Sequence, residues 1–176
     1  MNTSASPRGA ASAAPSASHL AGATVPARCH TSQLSAAIKQ LSGAASHRPV
    51  TVVLTNTSQT PCTLNGYPGF GLLDANRHAL PAQTRRGAGP LYVDHGPITI
   101  TVLPGQHAST TAEYTTGGNP GTCQRAAYVE ITPPSERDFL LVGYGLTMCD
   151  ATHTISTAAL VGGNAGPSSR NNELLS

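Results

Sequence analysis

Four cysteines, Cys29, Cys62, Cys123 and Cys149, stand far apart with no C-x-x-C pair among them, and this limits the fold more than any other feature. Zinc and thioredoxin-like sites need closely spaced pairs, because adjacent ligands must converge on one small centre. An even number of distant cysteines fits structural disulfides made in an oxidising compartment. The turn-rich composition, Gly 18 and Pro 14 in 176 residues, agrees with that reading. Four cysteines allow three pairings. Cys29–Cys62 with Cys123–Cys149 is the favoured one, since each bond would staple neighbouring segments. Chain-entropy arguments give roughly 3.5–4 kcal/mol for loops of these sizes, a large share of a domain's net stability.

Between the cysteines run short β-branched segments bounded by turn residues. Pro49–Asn56 ("PVTVVLTN") is the strongest strand signal. Strands are also expected at residues 69–74, 98–103, 107–114, 127–133, 139–144 and 152–161. In residues 98–102, Ile98, Ile100 and Val102 alternate with Thr99 and Thr101, so one side of the strand is apolar. "LPGQ" (Leu103 to Gln106) suits a type II turn, with Pro and Gly at its two central positions. Residues 31–41 keep helical spacing at Leu34, Ile38 and Leu41, yet a first strand also fits and is favoured. Short strands at turn-punctuated intervals with no long helix indicate an all-β, immunoglobulin-like antiparallel β-sandwich stapled by two disulfides.

The ends differ from the middle. Residues 1–28 are Ala/Ser/Pro-rich with almost nothing to bury and read as a flexible linker. The β domain spans 29–162, and residues 163–176 read as a loose tail. No apolar run approaches membrane-helix length. The first residues carry no hydrophobic secretion signal, so the cysteines favour an exported chain whose signal has been removed. Cys29 follows "VPAR" and lacks the setting of a lipidated cysteine. Nine Arg and one Lys are scattered, net charge is +2, and no basic stripe interleaved with aromatics exists, which argues against nucleic acid.

The run "VTVVLTNTSQTPCTLNGYPGFGLLD" carries a specific likeness. The chain resembles domain-of-unknown-function family four-two-three-two, of exported proteins and lipoproteins in high-GC Gram-positive bacteria. That family shows a Cys after a linker and a V-x-L-x-N-x-S-x-x-x-C-x-L-x-G-Y-P-G block, ending here at Gly69. An L-x-P-G-x-x-A turn follows ("VLPGQHA"), then a Cys-bearing strand closing on a Pro pair ("CQRAAYVEITPP") and a last Cys, here Cys149. The match runs from Cys29 to about Gly162. Residues 85–97 ("RRGAGPLYVDHGP") have no clear counterpart and read as a longer loop. The resemblance implies an extracytoplasmic, disulfide-bonded, sandwich-like module, secreted or attached to the envelope. It implies no catalytic residues, because its pattern consists of turn, core and Cys positions.

Candidate chemistry in the residues themselves is sparse. In "GYPGFG", Gly66, Gly69 and Gly71 have the wrong spacing for a phosphate cradle, Pro68 removes a donor, and a strand follows instead of a helix. A structural turn is the expected role. No G-x-S-x-G elbow marks a hydrolase. Glu113 and Glu130 could form a carboxylate pair, though nothing in their context supports one. "MCDATH" places Met148, Cys149 and His153 together, as in copper sites on β domains, but the order is wrong and Cys149 is wanted for a disulfide. Asn56-Thr57-Ser58 matches a glycosylation sequon, yet its side chains are expected to cap a turn. No cofactor is expected. The function expected is non-catalytic binding or scaffolding in the envelope, toward an envelope protein or cell-wall component. A wall-directed hydrolase or copper-handling protein is the alternative. The first surface to consider is a loop cluster of Arg85, Arg86, Tyr92, Asp94 and His95, with Tyr67 beside it.

Overall fold

The computed structural model describes Met1 and residues 24–163. Most of the expected linker and tail, residues 2–23 and 164–176, lie outside the described residues. Twelve strands occur among the described residues. A three-residue 3-10 turn, Thr31–Gln33, leads into β1 (Leu34–Gln40), which pairs with β2 (His47–Asn56). Then come β3 (Cys62–Asn65), β4 (Gly69–Leu73), β5 (Ala79–Leu80) and β6 (Gln83–Arg86). β7 (Thr99–Val102) and β8 (His107–Thr115) precede β9 (Gln124–Thr132) and β10 (Leu140–Met148). β11 (Thr154–Thr157) and β12 (Val161–Gly162) end the described chain.

The larger sheet runs β1-β2-β8-β11-β6, with β12 also on β8; the second runs β10-β9-β4-β5, and β3 pairs with β7. The pairs are antiparallel except β6 with β11, which run parallel. The all-β, mainly antiparallel reading therefore holds, with one parallel edge. Both disulfides form as expected, Cys29–Cys62 and Cys123–Cys149, and no described cysteine is free.

The core lies between the two main sheets. Val50, Val52 and Leu54 of β2 share a face with Ala112, Thr110 and Ala108 of β8, their register partners. From the opposite sheet Leu72, Val129, Ile131 and Met148 complete the cluster. Each fully buried branched side chain contributes about 1.5–3 kcal/mol. Unlike an ordinary half-exposed strand, β2 and β8 are buried on nearly every residue. Residues 87–98 cover part of their second face, where the Leu91 N–H bonds Glu113 and Leu91 stands beside Pro49 and Thr111.

Several expected boundaries move for physical reasons. The ambiguous first segment is a strand once past its 3-10 turn. Residues 139–144 extend to Met148, because a bulge between Gly143 and Leu146 lets β10 bend while staying paired. Residues 152–161 divide into β11 and β12, since Ala158 N–H bonds Thr111 and Leu160 N–H turns to the Gly66 carbonyl. β3, β5 and β6 were not expected. Arg85 and Arg86, read as part of a loop, lie on β6, although both stay exposed. Arg28, read as linker, bridges Thr63 of β3 and pairs its guanidinium with Glu136.

The turns behave as read. Gln106 N–H bonds the Leu103 carbonyl at 2.9 Å with Gly105 at φ 75°, the closure and positive φ of a type II turn. Asn56, fully buried, accepts from Ser58 N–H and the Ser58 hydroxyl and donates to the Thr60 and Val102 carbonyls.

Candidate functional site

Alternation along β8 sends Ser109, Thr111 and Glu113 away from the core, onto the face that residues 87–98 cross. Register puts Pro49 of β2 and Ser156 of β11 opposite Glu113, and Arg85 of β6 opposite Ser156. A polar cleft of ≈ 330 Å³ opens there, with His47, Arg85, Glu113, Asp150, Thr154 and Ser156 in its walls. A second hollow of ≈ 310 Å³ is lined by Leu91, Thr111 and the β1–β2 connection.

Glu113 is the most deeply placed charge of the cleft, 4% exposed. A carboxylate so buried needs partners for both oxygens. Oε1 meets His47 Nδ1 at 2.6 Å, and Oε2 accepts the Leu91 N–H at 3.2 Å. The Leu91 bond ties the crossing segment to the sheet. Arg85 Nη2 donates to Ser156 Oγ at 2.9 Å and to the Ala88 carbonyl at 3.3 Å. Asp150 Oδ2 accepts from the Thr152 hydroxyl and Thr154 N–H, closing the β10–β11 turn.

The six residues expected to form one binding loop fall into two groups. Tyr92, 0% exposed, is a plug under the crossing segment, its hydroxyl donating to the Gly87 carbonyl. Burial, and then the nearby Glu113 charge, push its phenol well above the ordinary value. Tyr92 lies near Glu113 and Arg85 of the cleft without lining it. The second group is a latch. Tyr67, in the Gly-Tyr-Pro-Gly turn before β4, donates to Asp94 Oδ2 at 2.7 Å, and the Arg86 guanidinium lies 6.0 Å from its ring. Asp94 Oδ1 accepts from Ala159 and Gly96 N–H groups. Burial alone would raise the Asp94 carboxyl, but the bonds from Ala159, Tyr67 and Gly96 outweigh it and hold it below the usual range. The bond to Asp94 in turn raises the Tyr67 phenol. His95 stays exposed next to the latch.

Other sequence candidates separate. Glu113 projects from the larger sheet, whereas Glu130 lies on β9 opposite Leu141 and Gly71, on the outward side of the other sheet. The two cannot act as a pair. Cys149 is in a disulfide, Met148 is in the core, and His153 Nε2 bonds the Thr122 carbonyl. The copper arrangement therefore lacks its thiolate. Among the described residues no group of three His, Cys, Asp or Glu converges as a metal site, and no helix is long and apolar enough to cross a membrane. The Glu113–His47 pair was missed because 66 residues separate its members. Its one sequence signal is a lone carboxylate inside the small, uncharged strand "HASTTAEY".

These features define a disulfide-stapled β-sandwich-like module that presents a polar cleft on its larger sheet. The chain belongs to the family described as Domain of unknown function (DUF4232), whose model matches residues 29–161. The match begins at Cys29, where the resemblance begins. No curated protein and no solved structure matches the chain.

Proposed function

We propose that the protein is an extracytoplasmic, non-catalytic binding module of the bacterial cell envelope, with the cleft and its latched border as the contact surface. One observation carries this reading: most of the charged groups of the cleft and of the latch beside it are already engaged by the protein, the buried Asp150 Oδ1 being the exception without a hydrogen-bond partner. Glu113 has a partner on each oxygen, Arg85 holds Ser156, and Asp94 holds Tyr67. Groups fixed in this way present donors and acceptors in constant positions, which suits recognition. Pairing of every described cysteine supports an oxidising location.

The partner on this reading is a wall component or an envelope protein. The test uses the oxidised protein and a variant with Arg85, Arg86 and His95 replaced by Ala, each incubated with purified cell-wall material and envelope extract. Selective retention of the unaltered protein is expected. Equal retention of both would remove the surface assignment. A hydrolase acting on wall material is the rival reading, and the Glu113–His47 pair in an open cleft favours it. Release of soluble wall fragments that disappears in Glu113→Gln would establish that rival.

A further inference from the structure

The two disulfides sit in opposite surroundings. Cys29 and Cys62 are 0% and 1% exposed, within a core cluster that includes Leu64 and Val102. Cys149 is 7% exposed, and its partner Cys123 is exposed where the Pro120–Thr122 turn ends. Thiol–disulfide exchange requires a thiolate to reach one sulfur of the bond, so access decides which bond reacts.

We propose that Cys123–Cys149 is an exchange site for a dithiol reductant, while Cys29–Cys62 is shielded from the same reagent. A thiolate of the dithiol attacks Cys123 Sγ. A mixed disulfide forms, the bond to Cys149 breaks, and Cys149 leaves with the electron pair and takes a proton from solvent. The second thiolate of the dithiol then attacks its own sulfur in the mixed disulfide, and Cys123 leaves and is protonated in turn. The dithiol ends as a disulfide, and the protein ends with two thiols and its core staple intact.

Reduction at this place reaches the cleft. The turn before Cys123 is fastened to the β10–β11 connection by the disulfide and two hydrogen bonds. Thr122 Oγ1 donates to the Cys149 carbonyl at 2.6 Å, and His153 Nε2 lies 3.0 Å from the Thr122 carbonyl. The connection continues directly into Asp150, Thr152 and Thr154, one wall of the cleft. Losing the covalent link leaves that wall joined to the turn by the two hydrogen bonds. The inference does not depend on the envelope reading, because it concerns the purified chain.

The test treats the oxidised full-length protein with dithiothreitol under native conditions, alkylates the free thiols at intervals, and maps them by peptide mass spectrometry. Labelling of Cys123 and Cys149 at least about tenfold faster than Cys29 and Cys62 is expected, and the two bonds should become comparable in denaturant. Equal native rates, or faster reduction of Cys29–Cys62, would overturn the proposal. Hydrogen exchange on the selectively reduced protein should rise in residues 119–123 and 149–154 while β2 and β8 stay protected. Unchanged exchange in those two segments would refute the coupling to the cleft.

Discussion

Asn56 does at one position what several side chains do elsewhere. Its amide accepts two bonds and donates two at the junction of β2, the following turn and β7, with no exposed surface. Asn56→Ala removes all four bonds and leaves the buried Val102 carbonyl without that donor. A loss of about 2–4 kcal/mol is expected in urea unfolding. The same burial makes the sequon a turn cap, so the protein expressed in a glycosylating host should keep its unmodified mass at this position. Gly89 shows a different constraint. A Cβ there would stand 2.2 Å from the Tyr92 ring, and since Tyr92 is the plug under the crossing segment, one of the two must move. Gly89→Ala should cost about 1–3 kcal/mol by the same measurement. Glu136 gives the pH signature. Above all the Thr31 N–H, then the Thr31 hydroxyl, Arg28 and His30, lower its carboxyl against the opposing effect of burial. A depressed folded pKa means stability that is complete above the unfolded carboxylate value, near 4.3, and lost as pH falls through the folded one. Glu136→Gln should therefore flatten the acid end of the stability profile below pH ~4.3 and change its slope little near neutrality.

At the level of elements, residues 87–98 form a strap across the larger sheet, fastened by Leu91 to Glu113, by Tyr92 beneath it, and by Asp94 to Tyr67 and Ala159. Tyr67→Phe removes one fastening and leaves the ring. Amide exchange in residues 92–96 should accelerate several-fold while β8 remains protected, and unchanged exchange would show that the Ala159 bond alone suffices. The legibility of each element follows from where its partners lie. β2 was plain because six of its ten residues are Val, Thr or Leu in one run from Val50 to Thr55, and β7–β8 because Pro104-Gly105 dictates the turn between them. β6 reads "QTRR" and has no apolar alternation, so only pairing with β11 makes it a strand. β3, four residues between Pro61 and Gly66, was hidden by its turn residues. The cleft was less legible still. Arg85, Tyr92 and Asp94 were visible as a polar group on an unusual segment, but their partners Glu113, Ser156 and Ala159 come from strands and connections far along the chain. Local composition does not encode such meetings; strand register does.

On the scale of the whole molecule, the two staples divide the work. Cys29–Cys62 fixes the start of the domain to β3 inside the core, and Cys123–Cys149 fixes a surface turn. Replacing either pair by Ala should cost about 2–5 kcal/mol. The Cys29/Cys62 replacement belongs at the upper end, because it also empties packed volume. Thermal or urea unfolding of the two double variants checks the order. The parallel contact of β6 with β11 has a different consequence. Arg85 and Ser156, which meet across it, are 71 residues apart, so during folding β6 waits for a partner near the far end of the domain. Until then an edge rich in unpaired N–H and C=O groups stays open, with the two arginines of "QTRR" to repel a second copy. Assembly therefore finishes at the same border where the cleft lies, and a chain cut before Thr154 would have its β6 edge left open to pairing with other chains.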